Sequence, residues 1–154
     1  RPDASEVEYL SAGLAPSRQA HRSRRYPMMR YPWDRTEAAL RAMADHGDGA
    51  MPELDYVNPE TGADVLPTMG FTAMMLAAGM TTTPPRRSCS SAFHVVRGRG
   101  RTTIDGQTVE WGPKDTFSAP VFASLRHGAD EEAFLVRIHD RPLQEKLGYY
   151  EERE

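Results

Sequence analysis

The chain has 154 residues, 39% of them hydrophobic and 27% charged, so it is long enough for one domain with a substantial buried core. Its net charge of −3 gives no electrostatic reason to expect nucleic acid or an anionic membrane as a partner. A single cysteine, Cys89, excludes an internal disulfide and fits a reducing cytoplasm, and no apolar run approaches the ~20 residues of a membrane span.

Residues 1–33 have the composition of an arm or linker rather than of a packed element. Four prolines interrupt this segment, and a basic cluster from Arg18 to Arg30 follows an acidic start. One interpretation is a solvated linker. The other is an arm that wraps a neighbouring domain or subunit, because the segment is rich in large apolar side chains such as Tyr26 and Met28. The sequence leaves both interpretations open.

A helix is predicted over residues 34–50. Asp34 is suited to be its N-cap, and Glu37 three residues later completes a capping box. Apolar residues at helical spacing follow, and Gly47 and Gly49 are expected to end the helix. A helix this short cannot bury its own apolar face, so we expect it to dock on another element.

From residue 51 the pattern changes to short strands separated by turn residues, which predicts a mainly β sandwich or barrel. The Asp105-Gly106 pair suits a type I′ hairpin turn, because both central residues of that turn need positive φ. A short C-terminal helix is predicted over residues 143–150, behind Pro142. The predicted strands are residues 54–57, 69–76, 92–97, 101–104, 107–111, 115–119 and 133–139.

Five ordered stretches resemble the C-terminal region of gentisate 1,2-dioxygenases and of the related salicylate and 1-hydroxy-2-naphthoate dioxygenases. The most specific are EWGPKD at residues 110–115 and DRPLQEKLG at residues 140–148. The other three are RYPWDRT at residues 30–36, YVNPETG at residues 56–62 and VVRGRG at residues 95–100. Together they span most of the chain from residue 30 onward.

This resemblance implies a longer protein with two cupin barrels, each a double-stranded β-helix of the jelly-roll type. In that family the N-terminal barrel holds Fe(II) on three histidines and cleaves the ring of an aromatic hydroxy acid such as gentisate. The second barrel serves packing and assembly, commonly into a homotetramer. Residues 1–33 are then the inter-domain linker or arm, residues 34–50 a docking helix, and residues 51–154 the C-terminal cupin barrel with its terminal helix. A start at Arg1 without an initiator methionine agrees with an excised or processed piece.

A cupin metal site needs two histidines one residue apart on an inward strand face and a further histidine on a later strand. We locate the equivalents of these histidines by counting residues back from Gly98 in the VVRGRG stretch and forward from Asp115 in the EWGPKD stretch. They fall on Pro85, Arg87 and Leu125. Proline and leucine carry no donor atom, and arginine stays cationic. We therefore expect no metal site and no catalytic residue here. Phe93, at a position where the metal-bearing barrel often carries a substrate-binding arginine, is expected to fill the interior.

His127 lies two residues beyond Leu125 and should also point inward, most simply as a hydrogen-bonded core histidine. Arg86, Arg87, Arg126 and His127 are nevertheless candidates to converge at the barrel mouth as a site for a carboxylate anion. The alternative, which we favour, is that Arg87 and Arg126 bond to main chain or to acidic neighbours such as residues 130–132.

Three functions can be weighed on this basis. The first is the non-catalytic, structural half of an iron-dependent ring-cleaving dioxygenase, partnered by its own N-terminal cupin half. The second is a free-standing metal-free cupin for small-ligand binding or association. The third, an independent cupin enzyme with a non-standard metal site, is disfavoured by the apolar and cationic ligand positions. The sequence does not identify the aromatic acid.

Overall fold

The computed structural model describes residues 30–47 and 49–154. The arm predicted for residues 1–33 therefore lies outside the described residues as far as residue 29, and its two interpretations stay open. None of the helices in the described ranges is long and apolar enough to cross a membrane.

Helix α1 spans Trp33–His46 and ends at the C-cap Gly47, which confirms a helix in this region. The predicted capping box is wrong, since the N-cap is Pro32 and no side chain caps the helix. The Glu37 carboxylate instead accepts hydrogen bonds from Trp33 Nε1, Arg41 and Arg97. Bonds from guanidinium groups to a carboxylate are stronger than a bond from a neutral backbone amide, so Glu37 turns toward the arginines.

Eleven strands and a second helix follow in the described part of the chain. All seven predicted strands are confirmed, with ends shifted by no more than two residues. Four strands were not predicted, because three have only two residues and the fourth, Leu125–Ala129, has His127 at an inward position where an apolar residue would signal a strand. The elements are β1 Glu53–Asp55, β2 Gly70–Leu76, β3 Thr81–Thr82, β4 Arg86–Arg87, β5 Ser91–Arg97, β6 Gly100–Ile104, β7 Gln107–Trp111, β8 Thr116–Ala119, β9 Leu125–Ala129, β10 Ala133–His139, α2 Arg141–Leu147 and β11 Glu152–Arg153.

Two antiparallel sheets form the barrel. One has the strand order β1-β2-β10-β5-β8 and the other the order β3-β9-β6-β7, while β11 pairs with β4 in a short separate ribbon. The crossovers between non-consecutive strands are those of a jelly roll, which manages sheet edges by wrapping two sheets over one core. The fold is the mainly β cupin barrel that the resemblance implied.

Strand alternation divides the apolar residues between two clusters on opposite faces of the larger sheet. The inner cluster lies between the sheets and is formed by Met74, Leu76, Phe93, Val95, Trp111, Leu125 and Leu135 together with several alanines. The outer cluster is covered by α1, whose Leu40 packs with Ala73, Met75 and Phe134. The expected docking of the helix is therefore onto the outside of β2 and β10.

Two local predictions concern positive φ. Asp105 and Gly106 have φ of 47° and 85°, which confirms the type I′ hairpin between β6 and β7. The C-terminal helix is confirmed but ends at Leu147, because Gly148 adopts a left-handed conformation with φ 77° and donates its N–H back into the last turn.

Candidate functional site

A cluster of buried polar side chains lies on the inner face of the barrel, next to the apolar cluster. Alternation along β10 from Leu135 places Arg137 and His139 on the inner face. Thr72 from β2 and His127 from β9 join them. Each of these four polar side chains is no more than 3% exposed. Buried polar groups usually have hydrogen-bond partners, so their bonding shows what the site can do.

Thr72 is the hub of one part of the cluster. Its hydroxyl donates to Asp55 Oδ1 at 2.5 Å and lies 3.1 Å from His139 Nε2. Arg137 Nη2 also donates to it, at 3.4 Å. Because a hydroxyl has one proton and Asp55 receives it, His139 Nε2 must be the donor in its bond to Thr72.

His139 is consequently left with an unprotonated Nδ1, a buried atom that has no hydrogen-bond partner in the part of the chain that the structure describes. Burial first, and then the charges of Arg137 and Arg141, lower the pKa of His139 to about 4. The ring is therefore neutral near pH 7. It lies against the backbone of Gly70, where an added Cβ would come within 2.2 Å of His139 Cε1.

His127 belongs to a second chain of hydrogen bonds. Trp111 Nε1 donates to Thr102 Oγ1 at 2.9 Å, and Thr102 Oγ1 lies 2.8 Å from His127 Nδ1. Burial, followed by the charges of Arg137 and Arg87, lowers the pKa of His127 to about 4, so its ring carries one proton near pH 7. Because Trp111 supplies the proton in its bond to Thr102 Oγ1, the Thr102 hydroxyl proton is free to be donated to Nδ1, and we assign the imidazole proton to Nε2 on this hydrogen-bond pattern. His127 Nε2 has no partner in the barrel.

Arg137 is the least satisfied member of the cluster. Its Nε is buried without a hydrogen-bond partner among the described residues, and its bond to Thr72 is long. Among residues 30–47 and 49–154, no carboxylate lies within ion-pair distance of it. Desolvation, followed by the charge of Arg87, lowers the pKa of Arg137. Arg87 itself is neutralised by Glu152, with Nε 3.0 Å from Oε1.

The residues predicted as an anion site are separated by the barrel wall. Arg87 and His127 lie close enough that the cation lowers the pKa of the imidazole. Arg86 is exposed, and Arg126 is exposed beside a groove of about 360 Å³ outside β9. The favoured alternative for Arg87, a carboxylate partner, is met by Glu152 rather than by residues 130–132.

Sequence reasoning missed Arg137, His139 and Thr72 as members of the interior. The signal was present in the alternation of β10, because Leu135 and the two polar residues that follow at spacing two share one face. Phe93 does fill the interior as predicted, stacking on Phe117 with ring centroids 5.0 Å apart.

The interior donor set does not fit a ferrous ion. Three residues occupy the positions that the sequence comparison made equivalent to the metal-binding histidines. Pro85 is exposed and precedes β4, Arg87 is ion-paired, and Leu125 belongs to the apolar core. His127 stands beside cationic guanidinium groups, whose charge opposes a divalent cation. Within the described ranges, no group of three or more His, Cys, Asp or Glu side chains is arranged to hold a metal ion.

Comparison with known proteins identifies relatives along nearly the whole chain. It is 36% identical over 99% of its length to a gentisate 1,2-dioxygenase of Ralstonia sp, and 35% identical over 83% to a 5-aminosalicylate 1,2-dioxygenase of Comamonas sp. The crystal structure of salicylate 1,2-dioxygenase from Pseudoaminobacter salicylatoxidans with gentisate superposes on 97% of it, with a TM-score of 0.82 and 28% identity. The chain spans only 44%, 36% and 43% of these three proteins. No protein-family model matches it.

Proposed function

The chain belongs to the gentisate 1,2-dioxygenase family, and we propose that it is the C-terminal, non-catalytic cupin half of a longer ring-cleaving dioxygenase. The whole protein would act on an aromatic hydroxy acid such as gentisate and would be cytoplasmic. Its Fe(II) would be held by the N-terminal cupin half, on three histidines. The single observation that carries the proposal is that the positions equivalent to the metal ligands hold Pro85, Arg87 and Leu125, of which Arg87 is ion-paired and Leu125 lies in the apolar core.

The outer surface supports a role in packing. A groove of about 520 Å³ at one end of the larger sheet is lined by apolar groups that include Ala92, Pro120 and Ile138. Met69, which also lines the groove, is 39% exposed, and Val121, next to Pro120 in the chain, is 55% exposed. Exposed apolar surface of this kind marks protein contacts more often than solvent-facing surface. We propose that it contacts the chain's own N-terminal cupin half or another subunit of a homotetramer.

Iron content and oxygen uptake test the catalytic part of this proposal. The 154-residue chain is purified after growth with added iron, and its metal content is measured by elemental analysis. Oxygen consumption is then followed with gentisate and with salicylate. The full-length gentisate 1,2-dioxygenase of Ralstonia sp, prepared in parallel, controls for iron loading and for the assay. We expect no stoichiometric iron and no substrate-dependent oxygen uptake from the chain, and either signal would overturn its non-catalytic assignment.

A free-standing metal-free cupin for small-ligand binding or association is the second candidate. The unpaired nitrogens of His127 and Arg137 favour it, because such groups are suited to hold a ligand. The gene sequence upstream of Arg1 separates the two candidates. Three histidines at cupin spacing there would support the two-barrel dioxygenase, whereas an initiator codon directly before Arg1 would support the free-standing barrel.

A further inference from the structure

We propose that the interior of this barrel binds a small carboxylate anion between Arg137 and His127. The inference is independent of the proposed function, because it concerns only side chains of the described barrel. It applies whether the barrel stands alone or as half of an enzyme.

The first step rests on two buried donors that have no acceptor. The tautomer set by Thr102 places a proton on His127 Nε2, and Arg137 Nε always carries one. His127 is fully buried and Arg137 is 3% exposed. A buried donor without an acceptor opposes folding, and a buried cation without a counter-charge opposes it more strongly. A bound anion would relieve both costs at once.

The second step concerns convergence of the two donors on one place. Arg137 lies directly opposite Phe93 in the β5–β10 ladder, and both side chains face the interior. The Phe93 ring centroid is 5.1 Å from that of His127. Arg137 and His127 therefore border the same aromatic ring, close enough that the arginine charge acts on the imidazole.

The third step concerns charge. Arg87 adds a second cation to this region, but its carboxylate partner Glu152 is already engaged by Arg87 Nε and by the Tyr150 hydroxyl. Asp55 is engaged by Thr72 and Arg141. These two carboxylates thus serve other donors. Glu53 on β1, opposite the inward-facing Met74, acts on Arg137 through its charge but does not lie within ion-pair distance of it, so Arg137 forms no salt bridge among the described residues.

The fourth step selects the class of anion. A guanidinium presents its N–H groups in a plane and recognises the two coplanar oxygens of a carboxylate better than a spherical ion. The stacked rings of Phe93 and Phe117 form an apolar wall beside the donors, which suits a carboxylate with a small apolar substituent. The planar donors thus favour a monocarboxylate over chloride.

Calorimetric titration with acetate and with benzoate tests the proposal on the intact 154-residue chain at constant ionic strength. We expect saturable binding by the unaltered chain, with chloride at least about tenfold weaker than the better carboxylate. Arg137→Gln should weaken carboxylate binding by at least about tenfold, because it removes a charge-assisted donor. Arg126→Gln, a matched loss of charge outside the same barrel, should leave the affinity within about twofold.

Four results would overturn the proposal. The first two are a titration without saturable heat for either carboxylate, and a chloride affinity equal to the carboxylate affinity. The other two are carboxylate binding by Arg137→Gln that is as tight as that of the unaltered chain, and a loss of carboxylate affinity in Arg126→Gln as large as that in Arg137→Gln. If Arg137→Gln does not fold, the unaltered chain decides the question by nuclear magnetic resonance. The Arg137 Nε–H signal, identified with Arg137→Lys, should then shift upon addition of the carboxylate, and an unmoved signal would contradict the assignment.

Discussion

The outer surface under α1 and the barrel interior both place arginine beside phenylalanine, but they treat the charge differently. Outside, Arg41 and Arg97 lie over the Phe134 ring at 5.3 and 4.8 Å from its centroid. Both are paired with Glu37 and Glu132 at the edge of solvent. Inside, Arg137 is buried opposite Phe93 and forms no ion pair among the described residues, although the charge of Glu53 acts on it.

The exposed charges therefore have little effect on the stability of the fold, whereas the buried charge of Arg137 lowers it. Solvent-exposed pairs contribute little to stability, so the helix is held mainly by its apolar face. Buried groups that lack partners cost free energy, and their cost changes with pH or with a bound anion. We therefore expect the outer surface to respond to loss of volume and the interior to respond to protons and charge.

The largest expected effect is acid destabilisation through the interior histidines. Both have folded-state pKa values of about 4, against 6.5 for the ordinary side chain. Between these values the unfolded chain binds more protons than the folded chain, so the free energy of unfolding falls as the pH falls from 6.5 toward 4. Two histidines give a loss of roughly 4 kcal/mol between pH 7 and pH 5, measured by urea denaturation.

The variant His127→Gln is the control for this dependence of the free energy of unfolding on pH. It keeps an amide N–H and removes one of the two titrating groups, so about half of the pH dependence between pH 7 and pH 5 should disappear. A slope identical to that of the unaltered chain would mean that His127 is not the neutral, buried group described above.

The next largest effect should come from Leu40→Ala on the outer surface. Leu40 is fully buried against Ala73, Met75 and Phe134. Removing its side chain should lower the free energy of unfolding by about 3 kcal/mol, through lost burial and a residual cavity. Met43→Ala, on the same helix but 42% exposed, is the control and should cost less than about 1 kcal/mol. Equal losses would mean that the helix is not held by this contact.

In the interior, Arg137→Met should stabilise the chain in the absence of carboxylates. Methionine has similar length and needs no counter-charge, so the free energy of unfolding should rise by about 2 kcal/mol. Arg126→Met, at an exposed position, should change it by less than about 0.5 kcal/mol. Destabilisation by Arg137→Met would show that the guanidinium is better satisfied than its contacts indicate.

The same contrast explains which parts of the structure the sequence could predict. Apolar alternation identified the long strands, and the Asp105-Gly106 pair identified the hairpin turn. Strand β9 was missed because its inward positions include His127, which carries no apolar signal. The capping box failed because the partners of Glu37 include Arg97, which is distant in sequence. Alternation along β10 could have placed Arg137 on the inner face, but its position opposite Phe93 depends on pairing between β10 and β5, which local pattern does not encode.

The smallest effect should come from Glu37→Gln, which breaks the charge network on the outer surface. The hydrogen bond from Arg97, first among several causes, lowers the pKa of Glu37, so the carboxylate is ionised near pH 7. Trp33 and the arginines use different oxygens of the Glu37 carboxylate, so glutamine keeps an acceptor for only one of these two sets of donors; the side chain is partly exposed. The free energy of unfolding should fall by less than about 1 kcal/mol.

Salt distinguishes this small effect from a packing effect. The difference between Glu37→Gln and the unaltered chain should shrink in 1 M NaCl, where screening reaches ~3 Å, whereas the difference for Leu40→Ala should persist. A salt-independent loss above about 2 kcal/mol from Glu37→Gln would mean that the network anchors the helix. The outer surface would then depend on its charges as strongly as the interior does, because Leu40 alone would not hold α1 on β2 and β10.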